Sequence, residues 1–230
     1  GVFVLILVSK MPQGKDENGI PSIGATFASL AKNKKYVYGV LAQVLYVGAQ
    51  IMCWTYIYQY AEGIGMDSET AANYQFAAFL LFLVGRAIGT YMLRFMSSGK
   101  LLMYFAILAI AFCAGTIWIE GMTGLYCLVG VSFCMSLMFP TIYGLALEGL
   151  DEEESKIGAA GLVMAIVGGA LMPKLQGIVI DAGGSGVSDI TIAGVSEVNF
   201  SFILPLLCFV YISWYGYKVY KRYELDHQMA

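Results

Sequence analysis

Six long apolar stretches dominate the sequence, and each is long enough to cross a lipid bilayer as a single α-helix. A membrane-spanning helix needs about 20 mostly apolar residues. Hydrophobic residues make up 59% of the chain and charged residues only 13%, which is too few to coat a soluble fold. We name the predicted spans A to F; they cover residues 36–61, 71–96, 101–119, 124–149, 157–180 and 199–217. The sequence therefore predicts an all-α integral membrane protein, a six-transmembrane-helix bundle whose partner is the lipid bilayer.

Charge and composition argue against several other classes. The net charge is −3 without a basic excess, so no nucleic acid partner is expected. The only histidine, His227, lies in the polar C-terminal segment, which leaves an intramembrane zinc site without ligands. The cysteines lie in apolar stretches without CxxC spacing and are interpreted as small buried hydrophobes: Cys53, Cys113, Cys127, Cys134 and Cys208. No metal and no cofactor is expected.

The basic residues predict the orientation of the spans. If spans A to F alternate in direction, 11 of the 13 Lys and Arg side chains fall on one side of the membrane and the opposite loops hold none. These 11 are Lys10, Lys15, Lys32, Lys34, Lys35, Arg94, Lys100, Lys156, Lys218, Lys221 and Arg222. Cytoplasmic loops carry such an excess of Lys and Arg, so we predict a cytoplasmic C-terminus. The opposite loops are acidic, with Glu120, Asp181 and Glu197 among their residues.

The two ends of the chain are interpreted as flanking segments. Residues 1–9 are apolar, but as a helix they would extend only about 14 Å. The hydrocarbon core is about 30 Å thick, so we interpret residues 1–9 as the end of a preceding transmembrane helix and the chain as a fragment. Residues 10–35 are predicted to be a cytoplasmic linker, and residues 218–230 a cytoplasmic tail.

Polar and aromatic side chains form stripes on three of the spans. The stripes are Gln43, Tyr46, Gln50 and Trp54 on span A; Phe79, Phe82, Arg86 and Thr90 on span B; and Ser132, Ser136, Phe139 and Tyr143 on span D. Residues spaced three, four or seven apart share one face of a helix. Such stripes favour a water-accessible cavity for a polar ligand with apolar faces. The alternative is that these groups hydrogen-bond neighbouring helices with no ligand involved.

The other spans lack such stripes. Spans C and F carry few polar groups, which predicts lipid-facing or peripheral positions. Span E has Gly161, Ala165, Gly169 and Pro173 at every fourth position, a pattern typical of close helix packing. The pair Gly168-Gly169 followed by Pro173 also predicts a bend. Static packing and movement during a conformational cycle are both compatible with this pattern.

Arg86 is the charge with the strongest functional implication. It lies near the middle of span B, where a charged side chain costs at least about 2.5–3.5 kcal/mol. No carboxylate lies in the middle of any span. We therefore expect Arg86 to meet backbone carbonyls, water, a ligand or an acid outside this chain. Lys174 lies nearer the end of span E and can extend to the interface.

Several sequence segments resemble the C-terminal half of the L-fucose/proton symporter family of the major facilitator superfamily. The similarity covers nearly the whole chain, and its most specific segments are LAQVLYVGAQIMCWTYIYQYA (41–61), TAANYQF (70–76), VGRAIGTYMLRF (84–95), FCMSLMFPTIYGLAL (133–147) and VMAIVGGALMPKLQGIVIDAGG (163–184). In the loop after span B, Gly89, Arg94, Gly99 and Lys100 match the superfamily's signature. Leu93 stands where that signature usually has an acid.

The resemblance implies a fold and a set of partners. Residues 36–217 would form the C-terminal six-helix half of a transporter, built from the inverted three-helix repeats A–B–C and D–E–F. The other partners would be an N-terminal six-helix half and a monosaccharide bound between the halves. The family's location implies a multi-pass protein of the cell inner membrane. Protons would be the coupling ion, carried by acids of the N-terminal half.

The resemblance also implies a sugar-binding wall on this chain. The candidate hydrogen-bonding residues are Gln43, Gln50, Asn73 and Arg86, while Trp54, Phe82 and Tyr143 would stack on the apolar face of the sugar ring, and Tyr46 completes the site. Asn73 has the alternative role of capping the helix of span B.

Three alternatives to L-fucose transport remain open. A facilitator of the same superfamily would carry another sugar, such as glucose, galactose or an amino sugar. A membrane-embedded enzyme would need a nucleophile and base or metal ligands within the spans, which we do not find, so we predict no enzyme. A non-transporting helix bundle would have a dry, packed interface between spans A, B and D.

Overall fold

The computed structural model describes residues 23–184 and 190–228. The prediction for residues 1–9, and that for the first part of the 10–35 linker, lie outside these ranges. The described residues form eleven α-helices: α1 (Ile23–Lys32), α2 (Lys34–Thr55), α3 (Ile57–Gly63), α4 (Ser68–Met92), α5 (Ser98–Trp118), α6 (Met122–Met135), α7 (Met138–Leu147), α8 (Glu152–Met164), α9 (Gly168–Ile180), α10 (Glu197–Ser201) and α11 (Ile203–Gln228).

The helices combine into the six predicted spans. Segments long and apolar enough to cross a membrane run over Lys34–Gly63, Ser68–Met92, Ser98–Trp118, Met122–Leu147, Glu152–Gly183 and Glu197–Leu225. The order and number of spans A to F are therefore confirmed within the described residues. Helix α11 extends to Gln228, so the first part of the predicted tail continues the last helix.

Four spans contain interruptions in their helices, and in span F the interruption is at Phe202, between α10 and α11. Span A changes from α2 to α3 at Tyr56, and span D changes from α6 to α7 at Ser136 and Leu137. In span E a 3-10 turn over Ala165–Val167 separates α8 from α9. The predicted irregularity in span E thus falls just before Gly168, while Pro173 lies within α9.

Glycines set the closest approaches between spans. A Cβ added at Gly168 would overlap the backbone oxygen of Val44, so α9 and α2 touch through their backbones. Gly99 of α5 and Gly216 of α11 form a second contact of this kind. A Cβ at Gly99 would lie 2.9 Å from the Tyr220 nitrogen. These contacts agree with the close packing that the small residues of span E predict.

Spans C and F, which were predicted to be lipid-facing or peripheral, are more buried within this chain than spans B and E. In the most apolar part of each span, the buried share is 44% in span C and 50% in span F, against 22% in span B and 22% in span E. Spans C and F pack against each other through Gly99 and Gly216. The lack of polar residues in these spans did not predict this contact. Three members of the span B stripe, Phe79, Arg86 and Thr90, are exposed on this chain.

The described part of the segment that was predicted to be the linker is helical, with α1 over Ile23–Lys32. Helix α1 packs on the start of span E, where the Ser29 hydroxyl donates to the Glu154 carboxylate at 2.8 Å. The Tyr36 hydroxyl also donates to the Gly158 carbonyl at 2.9 Å. The first bond attaches α1, and the second the start of α2, to the opening turns of α8.

The loop between spans E and F contains a short antiparallel hairpin. Strand β1 (Thr191–Ile192) pairs with β2 (Val195–Ser196). Glu197, counted in the sequence among the acids of the opposite loops, is fully buried at the start of α10. Its carboxylate accepts a hydrogen bond from the Gly183 amide at 3.1 Å, which holds the loop against the bundle.

Candidate functional site

An aromatic cluster joins spans A, B and D around Trp54. The indole Nε1 donates to the Ser132 hydroxyl at 3.1 Å. The Trp54 ring meets Phe79 and Phe82 edge to face, with centroid distances of 4.9 and 5.3 Å. Such aromatic contacts add about 0.5–1.5 kcal/mol each beyond area burial. The hydrogen bond and the two ring contacts fix the orientation of Trp54 at the junction of three spans.

Arg86 reaches from span B to the interruption in span D. Its Nε donates to the Ser136 carbonyl oxygen at 3.3 Å. Its guanidinium carbon lies 5.5 Å from the centroid of the Phe82 ring, within the range of a cation–π contact. The sequence expectation that Arg86 meets a backbone carbonyl is therefore met. The residue as a whole remains exposed on this chain.

Pro140 explains why this carbonyl is available. In an α-helix the Ser136 carbonyl would accept from the amide four residues on, which is that of residue 140. Proline has no amide hydrogen, so Arg86 supplies the missing donor. Gly85 permits the approach, because a Cβ there would lie 2.6 Å from the Phe133 carbonyl oxygen. The break in span D and the charge in span B thus form one local structure.

Tyr46 anchors the other side of the same interruption. It is fully buried, and its hydroxyl donates to the Met135 carbonyl at 2.9 Å. Its ring contacts Phe139 edge to face at 6.1 Å. Phe139 in turn stacks on Tyr143, with centroids 6.4 Å apart and planes 13° from parallel. The aromatic side chains therefore continue along span D towards its C-terminal end.

We call the connected set the seam. Its members are Tyr46 and Trp54 of α2; Phe79, Phe82 and Arg86 of α4; and Ser132, Ser136, Phe139 and Tyr143 of α6, α7 and the residues between them. The seam combines hydrogen-bonding groups with aromatic faces, which is the chemistry of a pocket for a small ligand that is polar on one side.

Three predicted site residues have no contact that ties them to the seam. Gln43 is fully buried, and neither atom of its amide has a partner among the described residues. Gln50 is half-buried on the same helix. Asn73 is exposed and lies 13 residues before Arg86, about 20 Å along the helix. Its alternative role is wrong: Asp67 caps α4 by accepting from the Thr70 amide at 3.2 Å.

Asp67 lies outside the spans and shows the electrostatic effect of such a cap. Hydrogen bonds from the Thr70 hydroxyl and amide lower the pKa of the Asp67 carboxyl, because they stabilise its charged form. The cap therefore stays ionised at neutral pH and keeps the start of α4 in place.

Sequence reasoning named the stripes but missed how their members interact. Ser132 and Phe79 were stripe residues and not site residues, although both contact Trp54 directly. In the sequence, Pro140 inside an apolar span was the sign that the Ser136 carbonyl lacks its helical hydrogen-bond donor. Among the described residues, no group of three His, Cys, Asp or Glu side chains could hold a metal ion.

Curated transporters are similar to this chain along almost its whole length. It is 49% identical over 221 residues to an L-fucose-proton symporter of Haemophilus influenzae (strain ATCC 51907 / DSM 11121 / KW20 / Rd), covering 96% of this chain and 50% of that protein. It is 33% identical to the L-fucose-proton symporter of Escherichia coli (strain K12), covering 92% of this chain and 47% of that protein. A putative glucose/galactose transporter of Helicobacter pylori (strain J99 / ATCC 700824) is also 33% identical, over 86% of this chain and 47% of that protein.

The fold matches a solved transporter of the same kind. A crystal structure of a major facilitator superfamily transporter, FucP, in the outward conformation aligns with a TM-score of 0.80 and 31% identity, covering 95% of this chain and 51% of that one. No protein-family model matches the sequence. The chain spans about half the length of the curated relatives it matches. By sequence and fold, this multi-pass membrane chain belongs to the L-fucose–proton symporter family of the major facilitator superfamily.

Proposed function

We propose that this chain forms one half, the C-terminal six helices, of a proton-coupled monosaccharide transporter that works by alternating access. The seam is the observation that carries the proposal. It offers Arg86 and exposed or half-buried aromatic rings on one face of spans A, B and D. A sugar ring has hydroxyl groups at its edge and an apolar face, so it matches both kinds of group.

L-Fucose is the substrate we favour, because two relatives named as L-fucose-proton symporters are 49% and 33% identical to the chain. Glucose or galactose is the second candidate, since relatives 33% and 34% identical carry the name putative glucose/galactose transporter. All these relatives are named as transporters, which supports transport over catalysis. In this proposal Gln43, Gln50, Arg86, Trp54, Phe82 and Tyr143 contribute one wall of the site, and Asn73 contributes from its margin.

Protons are the proposed coupling ion, with no other cofactor. A membrane potential provides about 2.3 kcal/mol per charge per 100 mV, enough for roughly fifty-fold accumulation per proton. The carrier must be a group that gains and loses a proton near the midplane. This sequence has no mid-span carboxylate, so we assign the carrier to an N-terminal six-helix half. The excess of Lys and Arg supports a cytoplasmic C-terminus in the cell inner membrane.

Uptake in whole cells tests the proposal. Cells making the full-length transporter are expected to take up labelled L-fucose with a simultaneous rise in external pH. Unlabelled L-fucose should compete more strongly than glucose or galactose. Competition by glucose or galactose alone would favour the second candidate. Sugar uptake without proton movement would contradict symport, and sugar-coupled proton movement by residues 36–217 alone would contradict the placement of the carrier.

A further inference from the structure

A cavity of about 520 Å³ lies at the basic end of the bundle, away from the seam. It is bounded by the first residues of α2 and α5, the last residues of α7 and the C-terminal half of α11. None of the seam residues lines it. The cavity is therefore a separate feature of this chain, at the level where the spans leave the apolar layer.

The cavity is strongly basic. Four cationic side chains line it, Lys34, Lys35, Lys218 and Arg222, against the single carboxylate of Glu148. That carboxylate is already paired, since Lys35 Nζ lies 3.0 Å from it and 2.7 Å from the Glu148 carbonyl oxygen. The remaining cations have no lining carboxylate to balance them, so the cavity favours an anion.

Lys218 is held in position by aromatic rings. Its Nζ lies 3.9 Å from the centroid of the Tyr38 ring and 4.9 Å from that of Trp214. An aromatic ring attracts an ammonium group through its face. This contact supplies no oxygen acceptor to the N–H groups of Lys218. Lys218 is thus oriented beside the cavity while its donors stay available to a ligand.

Two buried hydroxyls at the cavity have no partner. Tyr215 is only 2% exposed, and its hydroxyl makes no hydrogen bond to any described residue. The hydroxyl of Ser97 is likewise buried without a described partner. Leaving a buried hydroxyl without a hydrogen bond costs about 1–3 kcal/mol. Both residues line the cavity, so two hydroxyls without a described partner lie in its wall.

The start of α5 adds backbone donors at the same place. Ser97 is the N-cap of this 21-residue helix, and its side chain makes no capping bond. The first amides of a helix lack acceptors within the helix and carry a partial positive charge. Ser98 and Gly99, the first two residues of the helix, line the cavity. The contact between Gly99 and the Tyr220 backbone fixes this end of α5 against α11.

From these observations we infer that the cavity binds a phosphate group, supplied by the headgroup of an anionic phospholipid or by free phosphate. The donors come from two helices: the Tyr215 hydroxyl and the cations Lys218 and Arg222 on α11, and the Ser97 hydroxyl with the first amides at the start of α5. A phosphate has several acceptor oxygens directed to different sides, so one group can meet donors that approach from both helices. Helix N-termini with free amides favour the same ligand.

Native mass spectrometry of the purified full-length protein tests this inference. The probe is phosphatidylglycerol in an excess of phosphatidylcholine, and a parallel titration uses inorganic phosphate with thermal shift as the readout. Tyr215→Phe keeps the ring and removes the hydroxyl, and we expect about fivefold weaker binding. Lys218→Gln removes the charge, and we expect about tenfold weaker binding.

Matched controls separate the cavity from general surface charge. Tyr217 and Lys221 lie on the same helix and do not line the cavity, so Tyr217→Phe and Lys221→Gln should bind like the wild type. If only phosphatidylglycerol binding depends on Tyr215 and Lys218, the phosphate belongs to a lipid; if only inorganic phosphate binding does, it is free.

Two results would overturn the inference. One is a wild-type protein that binds neither probe, as expected if a carboxylate elsewhere in the protein fills the cavity. The other is binding that Tyr215→Phe and Lys218→Gln leave unchanged. If Lys218→Gln fails to fold, Tyr215→Phe decides alone, because it preserves the side-chain shape.

Discussion

Replacing Arg86 by alanine is expected to reduce L-fucose uptake by at least about tenfold with normal amounts of protein in the membrane. The change removes the donor to the Ser136 carbonyl and the cation beside Phe82. In the proposed site Arg86 also donates to a sugar hydroxyl, and a hydrogen bond to a charged group contributes about 1.5–3 kcal/mol, which corresponds to tenfold or more in sugar binding. Initial rates of labelled uptake, normalised to the amount of transporter, measure the effect.

Two further variants make this result specific to the geometry of the seam. Arg86→Lys retains the charge but loses the planar guanidinium, so it should recover only part of the activity. Lys174→Ala is the matched control, because Lys174 is a basic residue within predicted span E and is exposed there. Wild-type uptake by Arg86→Ala, or an equal loss in Lys174→Ala, would remove Arg86 from the site.

Replacing Gly168 by alanine is expected to destabilise the protein, whereas the same change at Gly144 is not. A Cβ at Gly168 would overlap the Val44 backbone oxygen, which a rotamer change cannot relieve. A Cβ at Gly144 meets nothing within 4 Å. Overpacking costs about 1–3 kcal/mol, while Gly-to-Ala in an open helix position stabilises by about 0.4–1 kcal/mol.

Thermal unfolding in detergent measures both glycine variants. The apparent melting temperature should fall for Gly168→Ala and stay level or rise for Gly144→Ala. Equal melting temperatures in the two variants would show that α2 and α9 do not touch through their backbones in the way described.

The spans and their stripes could be predicted because they depend on local patterns. Apolar length defined the six spans, and helical spacing placed Trp54, Phe82 and Ser132 on faces that meet in the structure. The link between Arg86 and Ser136 depends on a proline four residues after the acceptor. Periodicity alone does not contain that information, although the sequence shows the proline.

Other features depend on contacts between distant parts of the chain. The burial of spans C and F follows from Gly99 meeting Gly216, a pair separated by most of the sequence. The burial of Glu197 follows from its bond to Gly183 across a loop. Neither pairing has a local signal, so charge and hydropathy could not predict these contacts.

Cysteine accessibility tests most directly whether the seam lines a sugar passage. Phe82 lies on the seam, whereas the neighbouring Leu83 is 64% exposed on another face of the same helix. In the full-length transporter, Phe82→Cys should react with a charged, membrane-impermeant thiol reagent, and L-fucose should slow that reaction, while Leu83→Cys in the lipid should stay unreactive. Equal reaction at both positions, or reaction at Phe82→Cys that L-fucose does not slow, would contradict a sugar site on this face.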